Sequence, residues 1–370
     1  MNPTVTNIEE ESGILRFTLF NINMSLANAL RRVILCDIPC LVFRTRLHEE
    51  NQAVFEINTS RMNNEIIKQR LSCIPIHIKD LSFPLDEYRL EIDIKNDTAN
   101  IIYVTTEDFK IKNLKANTYL STSAVKEIFP PNSLTGNYID FVRLRPKLAE
   151  NIDGEHLKMT CKFSIGTAKE NGSYNVVSTC SYGASQDMTR IQEAWEEKKK
   201  ELRQNNTNTE DIEYIKKDWL HLDAKRIIKQ DSFDFVVETI GIYDNFQIVE
   251  NAAKIMMKKL KNTVTKIQEN SEFIKASTTT IDNAYDIILE NEDYTVGKVL
   301  EYIMYDKYFV NSKDITYCGF LKPHPHLDYS ILRLAFVELV DNSTINTFLL
   351  SAANDAIEVF AKIVQRFSKD

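Results

Sequence analysis

Two long amphipathic segments constrain the fold of this chain most strongly. One starts near Asn245 and the other near Ser343, and apolar residues recur in each at steps of three and four, as on one face of an α-helix. The stripes are Phe246, Val249, Ala253, Met256, Leu260, Val264 and Ile267 in the first segment, and Leu349, Ala353, Ala356, Phe360, Ile363 and Phe367 in the second. Heptad-like stripes of this kind are typical of helices that pair with another helix. Each helix could instead pack on its own sheet, and the pattern alone leaves both arrangements open.

The residues before the second long helix form a regular order of predicted elements. We predict a strand over Tyr285–Leu289, a helix from about Thr295 to Tyr305, and strands over Ile315–Phe320 and Ser330–Leu339. The long helix from about Ser343 to Phe367 then ends the chain. This order is strand, helix, strands, long helix.

The N-terminal part predicts the same order, so the chain contains an internal repeat. A strand over Ile14–Phe20 precedes a helix over Leu26–Asp37, which Ser25 can cap and Pro39 ends. Strand signals return between Lys158 and Tyr182 and over Phe233–Ile240, directly before the first long helix.

Three segments interrupt the repeat. Over 51–155, short strand-like runs (Ala53–Ile57, Arg89–Ile94 and Ile101–Thr105) alternate with polar turns and indicate an inserted, mostly β subdomain. The highly charged segment 192–230 is interpreted as a solvated helix and loop. Residues 268–283 are polar and contain a Ser-Thr run, which favours a linker.

Composition limits the classes of function. Hydrophobic residues make up 43% of the chain, enough for a packed core. The net charge of −8 argues against sequence-independent binding of DNA or RNA by the chain itself, because such binding depends on cations. We expect no signal peptide and no membrane span, and six Cys without a dense framework suit a reducing compartment.

Six motifs, in order, resemble those of α-like RNA polymerase subunits. The first three are SLANALRRVILCDIP (Ser25–Pro39), NNEIIKQRLSCIPIHI (Asn63–Ile78) and CKFSIGTAKENGSYNVVSTCSYG (Cys161–Gly183). FDFVVETIGIYDNFQIVENAAKIMMKKL (Phe233–Leu260) resembles the closing strand and helix of the larger type, the archaeal D subunit or third-largest subunit of RNA polymerase II. ILENEDYTVGKVLEYIM and YCGFLKPHPHLDYSILRLAF resemble the smaller type, the archaeal L subunit or eleventh-largest subunit.

The resemblance implies a fold and its boundaries. We expect an α+β protein in which two α-like dimerisation modules, each a sheet with long helices, form an intramolecular pseudo-heterodimer. The D-like module would cover 1–50 and 156–267, the β-rich subdomain 51–155, the linker 268–283 and the L-like module 284–370. Such a fusion resembles what some large DNA viruses carry.

The resemblance also implies a function without catalysis. The chain would be the platform on which the largest and second-largest polymerase subunits assemble for transcription, with small polymerase subunits as further partners and with DNA and RNA reached only through the complex. Its place would be inside the cell, in nucleus or cytoplasm, and for a virus in host cytoplasm and the virion. A free-standing adaptor that reuses the fold and an autonomous enzyme are the alternatives.

Site residues follow from the resemblance and from the stripes. Arg32 is expected to be a main anchor to the second-largest subunit, with Arg31 in support, because the arginine pair of this motif faces that subunit in α-like proteins. Asn28 is expected to join them in binding a large subunit. The short helix of the L-like module has Glu301-Tyr302 where the short helix of the D-like module has Arg31-Arg32. The two modules should therefore not face the same large-subunit surface. The expected intramolecular interface consists of Leu26, Leu30, Phe246, Val249, Ala253, Met256, Leu260, Leu349, Ala353, Ala356, Phe360 and Ile363.

No cofactor or metal is predicted. Many D-like subunits carry a four-Cys zinc cluster or iron–sulfur sites in the insert, but here no Cys occurs between Cys73 and Cys161. Cys36 and Cys40 are interpreted as packing residues rather than half of a metal site, since Pro39 breaks the helix between them. His324 and His326 near Cys318 are interpreted as part of a Pro-flanked turn, with a zinc site as the alternative. GTAKENG (Gly166–Gly172) lacks the spacing and the closing Lys-Ser/Thr of a phosphate-binding loop.

Overall fold

The computed structural model of the protein describes residues 1–46, 48–147, 149, 153–205 and 208–368. The chain forms two compact units. The first comprises Met1–Ile34, Thr179–Glu238 and Asn245–Asp370, and the second comprises Leu35–Ser178 and Thr239–Asp244. The predicted α+β class is confirmed by the sheets and helices of both units.

Strands and helices are interspersed along the described residues. The strands are β1 (Thr4–Glu11), β2 (Ile14–Phe20), β3 (Cys40–Val42), β4 (Ala53–Asn58), β5 (Tyr88–Lys95), β6 (Ile102–Thr105), β7 (Lys110–Asn113), β8 (Thr118–Tyr119), β9 (Asp140–Leu144), β10 (His156–Lys162), β11 (Ser164–Gly166), β12 (Val177–Gln186), β13 (Ile228–Thr239), β14 (Ile274–Ala276), β15 (Ala284–Glu290), β16 (Ile315–Leu321) and β17 (Tyr329–Phe336). The helices are α1 (Met24–Cys36), α2 (Asn64–Ser72), α3 (Thr122–Ile128), α4 (Met188–Gln204), α5 (Thr209–His221), α6 (Asn245–Glu269), α7 (Tyr294–Met304) and α8 (Asn342–Phe367).

The first unit contains the internal repeat as two sheets of matching strand order. One sheet has the order β1-β2-β13-β12 and the other β14-β15-β17-β16. In each, the strand before the short helix pairs antiparallel with the strand before the long helix: β2 with β13, and β15 with β17. We call β1, β2, α1, β12, β13 and α6 the first module, and β14–β17, α7 and α8 the second module.

The second unit is built around a five-stranded sheet of order β4-β10-β5-β7-β8. Period-two alternation of apolar residues in β10 buries Leu157, Met159 and Cys161 on one face, as expected for a sheet with one covered side. Aromatic side chains pack among the aliphatic residues of its core, with Phe109 edge-on to Phe141 at a ring-centroid distance of 5.4 Å.

The charged segment forms a helical hairpin of α4 and α5. Trp195 and Trp219 are buried with ring centroids 5.5 Å apart, and Ile191, Ile212 and Ala224 complete a small core. The interpretation as a solvated helix and loop therefore misses this core, because its few apolar residues are spread thinly among charged ones.

Several predicted details are wrong. Ser25 does not cap α1, because its backbone N–H donates to Oδ1 of Asn23 at 2.8 Å, so Asn23 is the cap. Part of the segment predicted as a linker, 268–283, is strand β14, which pairs with β15. The last strand ends at Phe336 rather than Leu339, and α7 continues into a π-helical turn over Tyr305–Asn311. The predicted domain boundaries stay predictions.

Candidate module interface and docking face

The interface between the modules is centred on α6 and α8, which pack against each other. Of the residues expected there, Val249, Ala253, Met256, Leu260, Leu349, Ala353, Ala356, Phe360 and Ile363 are buried in these helices, as are Leu26 and Leu30 in α1. Phe246 is half-buried. Full burial of one Leu, Met or Phe side chain contributes about 1.5–3 kcal/mol, so this seam is a large part of the stability of the first unit. The sequence-based set omits Ile248, Ala252, Ala352 and Val359, which are also buried.

The end of α8 contributes an aromatic anchor to the first module. Phe367 is 1% exposed and lies edge-on to Phe17 of β2, at a centroid distance of 4.9 Å. Its ring also lies 5.8 Å from that of Phe246, while Phe17 stacks on Phe235 at 5.0 Å. Phe367 thus joins the last turn of the chain to the sheet of the first module.

Arg32 of α1 reaches the N-terminus of α7 in the other module. Its Nη2 donates to Oδ2 of Asp293 at 2.9 Å, and its Nε–H donates to Oγ1 of Thr295 at 2.8 Å. The other carboxylate oxygen, Oδ1 of Asp293, accepts the backbone N–H of Thr295 at 2.8 Å and caps α7. One carboxylate therefore holds both a helix end and the guanidinium of the partner module, a contact that the sequence alone did not suggest.

A reciprocal contact joins α7 to the start of α1. Tyr302 is hydrogen-bonded to Asn23, the cap of α1. Burial raises the pKa of the Tyr302 phenol, as do the carboxylates of Asp306 and Asp231, and the hydrogen bond to Asn23 opposes this rise. Each short helix thus contacts the N-cap of the other.

Two lysines of α6 face acidic residues of the second module. Nζ of Lys259 lies 3.9 Å from Oε2 of Glu292, and both side chains are largely buried. Nζ of Lys266 lies 3.6 Å from Oε2 of Glu290, near the exposed end of the helix. Sequence reasoning missed these pairs because they join positions distant in the chain.

The expected large-subunit residues lie together on α1. Nε–H of Arg31 donates to Oδ1 of Asn28 at 3.1 Å, and both side chains are half-buried. Arg32 uses part of its guanidinium within the chain and remains 37% exposed. Asn28 also borders a shallow groove of about 440 Å³ between the two short helices. The groove is lined by Met24, Ser25, Asn28, Tyr182, Lys298, Glu301, Tyr302, Tyr305 and Cys318.

The alternative metal sites gain no support from the geometry of the described residues. No group of three or more His, Cys, Asp or Glu side chains in that part of the chain could hold a metal ion. Cys36 is exposed and Cys40 is buried, where burial raises the pKa of its thiol to about 12. Nδ1 of His324 accepts the backbone N–H of His326 at 3.2 Å, which is a turn contact. Among the described helices, none is long and apolar enough for a bilayer span.

Comparison with known proteins finds a family match that covers most of the first module and the second unit. Residues 16–260 match the model of the RNA polymerase Rpb3/Rpb11 dimerisation domain. The chain is 25% identical over 312 residues to a conjugation stage-specific protein of Tetrahymena thermophila, covering 72% of this chain and 95% of that protein. It is 24% identical over 286 residues to DNA-directed RNA polymerase subunit Rpo3 of Pyrococcus furiosus, covering 71% and 96%. Human RPAC1, a subunit of DNA-directed RNA polymerases I and III, is 23% identical over 300 residues, covering 70% and 82%.

Proposed function

Since this chain belongs to the RNA polymerase Rpb3/Rpb11 dimerisation domain family, we propose that it is a non-catalytic assembly subunit of a DNA-directed RNA polymerase. Two α-like modules fused in one polypeptide pair with each other, and the paired modules bind the largest and second-largest subunits. Small polymerase subunits bind the same platform, and DNA and RNA meet it only through the complex.

The observation that supports this proposal best is the pairing of two like modules within one chain. Each module has the same sheet order and ends in a long helix, and the two long helices pack on each other. A fused pair holds its modules at an effective concentration in the millimolar range, so the platform is complete before any large subunit arrives.

Docking of a large subunit is proposed for the face that contains Asn28, Arg31 and Arg32. A guanidinium has five N–H donors, and the contacts of Arg32 to Asp293 and Thr295 leave others for carbonyl or carboxylate groups of a partner. Arg31 supports Asn28 through their hydrogen bond. Glu301 and Tyr302 occupy the corresponding positions of the second module, so the two modules present different chemistry to their partners.

Affinity purification of the tagged chain from cells that express it tests the proposal. Mass spectrometry should identify two very large polymerase subunits with the wild-type chain. The Asn28→Ala/Arg31→Ala variant should lose the second-largest subunit, because truncating an anchor of an interface commonly costs about 2 kcal/mol or more. The control is Lys258→Ala, a change on the exposed side of α6.

The outcomes separate the candidate functions. Recovery of the chain without large polymerase subunits would favour the free-standing adaptor. Equal recovery of polymerase by the double variant and the wild type would contradict the assigned face while leaving the platform function standing. A viral origin and a place in host cytoplasm and virions are further proposals, which depend on the fused arrangement.

A further inference from the structure

The two modules correspond position by position, which allows their contacts to be compared. Strands β2 and β15 are each 7 residues long, and in each module the third residue after the strand is the cap of the short helix. Asn23 therefore corresponds to Asp293, and Arg32 to Tyr302. In the long helices the buried residues have the same spacing: Val249, Ala252, Ala253, Met256 and Leu260 correspond to Leu349, Ala352, Ala353, Ala356 and Phe360.

The contacts between the modules occur in equivalent pairs, as they would around a two-fold axis. The two members of a pair, however, differ in charge. On one side Arg32 binds Asp293, a cation with an anion. On the related side Tyr302 binds Asn23, and neither group carries a charge at neutral pH. The ionic contact therefore exists once, and its cation belongs to the first module.

Lys259 of α6 follows the same rule in full, and Lys266 follows it only in part. Lys259 faces Glu292, whereas the corresponding residues are Val359 and Ile22, both buried and apolar. Lys266 faces Glu290, whose counterpart in the first module is Phe20, but the counterpart of Lys266 in α8 is Arg366, which is also a cation. Among the described ion pairs between the modules, every cation lies on the first module and every anion on the second.

We propose that these ion pairs select the pairing of unlike modules, so that the chain closes on itself rather than pairing like modules with a second copy. Two first modules would bring Lys259 against Ile22 and Arg32 against Asn23. Two second modules would bring Glu292 against Val359 and Asp293 against Tyr302. A charge that is desolvated without a counter-ion costs several kcal/mol. This cost destabilises the pairing of like modules, even if the ion pairs add little to the stability of the pairing of unlike modules.

Charge exchange along α6 tests the selection without touching either helix cap. Lys259→Glu/Lys266→Glu sets carboxylates against Glu290 and Glu292, and Glu290→Lys/Glu292→Lys sets two more cations against α6. Each double variant should lower Tm by at least about 2–4 °C, the shift expected for the loss of one modest interaction. A chain that carries all four substitutions should regain most of that loss. Lys258→Glu/Lys261→Glu, the same charge change on the exposed side of α6, is the control and should leave Tm near the wild-type value.

Selection itself is read from a mixture of the two double variants, refolded together. The new carboxylates at 259 and 266 of one variant can pair with the new lysines at 290 and 292 of the other. The unchanged modules of the two chains can form the original ion pairs with each other. Analytical ultracentrifugation should therefore show a one-to-one dimer in the mixture, and no such dimer when two wild-type samples are refolded together. This readout also serves if either variant alone does not fold.

Two results would overturn the proposal. If the loss of Tm in the four-substitution chain equals the sum of the losses in the two double variants, the ion pairs do not couple the modules. If that chain recovers but the mixture yields no one-to-one dimer, the pairs stabilise the interface without selecting the partner. Both measurements use the isolated chain, so they stand apart from the binding of large polymerase subunits.

Discussion

Asp293 shows how a single side chain links local and tertiary structure. Its carboxylate caps α7 through the Thr295 N–H and accepts the guanidinium of Arg32 from the other module. The ion pair is partly exposed, with 37% and 29% of the two side chains accessible, so its contribution to stability is small and its value lies in the geometry it fixes.

A double-mutant cycle measures this contact. Arg32→Met removes the charge and keeps most of the aliphatic length, and Asp293→Asn removes the charge while keeping a good helix cap. We expect a coupling free energy of about 0.5–1 kcal/mol from urea unfolding of the four proteins. Strict additivity of the two single changes would show that the contact does not join the modules in solution.

His77 in the second unit predicts a pH dependence of stability. Its Nδ1 lies 3.1 Å from the carbonyl oxygen of Ile128, and burial lowers the pKa of the imidazole below its usual value of about 6.5, although hydrogen bonds to the Ile128 and Ile240 carbonyls oppose the shift. Above about pH 7 the ring is neutral whether folded or unfolded and has no effect. As the pH falls through 6.5, the unfolded chain takes up the proton first, and folding stability declines until the folded pKa is passed.

The measurement is the urea midpoint between pH 5 and pH 8 for wild type and His77→Gln. The difference between the two curves should be constant above about pH 7 and should change below it, with the wild type losing more stability than the variant. His156→Gln serves as a comparison at another histidine of the same unit, one that is paired with Asp93. Parallel curves for wild type and His77→Gln would show that the imidazole titrates alike in both states.

At the scale of elements, neighbouring leucines of α8 offer a direct test of the seam. Leu349 is 0% exposed and Leu350 is 41% exposed. Leu349→Ala should lower the free energy of unfolding by about 2–5 kcal/mol, because it removes buried methyl groups and leaves a cavity. Leu350→Ala should change it by less than about 0.5 kcal/mol. Similar losses of unfolding free energy for both variants would show that the buried face of α8 has been assigned wrongly.

The hairpin of α4 and α5 should unfold separately from the modules. Its core is small and contains Trp195 and Trp219, so Trp219→Ala removes a large share of its buried apolar surface. We expect limited proteolysis to cut the variant within the hairpin while the main unfolding transition stays in place. Tyr214→Ala, at a residue 76% exposed, should remain resistant. A lowered main transition in the Trp219 variant would instead show that the hairpin supports the sheet.

The elements that sequence predicted best are the periodic ones. Both long helices were predicted to begin within one residue of their observed starts, since a stripe repeated over about five or six turns leaves little freedom. The contacts of Arg32, Lys259 and Glu292 could not be predicted in this way, because they join positions far apart in the chain. The Trp pair of the hairpin was missed for a related reason: two aromatic residues within a charged segment produce no periodic signal.

At the scale of the whole molecule, the fused arrangement predicts the state of association. The two apolar stripes of α6 and α8 cover each other within one chain, so neither stripe is open to a second copy. Pairing inside the chain competes at an effective concentration in the millimolar range against chains present at micromolar concentration. The isolated protein should therefore be a monomer.

Light scattering coupled to size exclusion tests this expectation. The measured mass should be near 42.8 kDa and should not change as the loaded concentration rises from about 1 to 100 μM, a range that stays below the effective concentration of tethered modules. Ala356→Asp, which puts a carboxylate into the seam, should broaden the peak toward higher mass because opened chains expose both stripes. A stable dimer of the wild-type chain would mean that α6 and α8 pair between copies, and the chain would then resemble a subunit that builds its platform from two molecules.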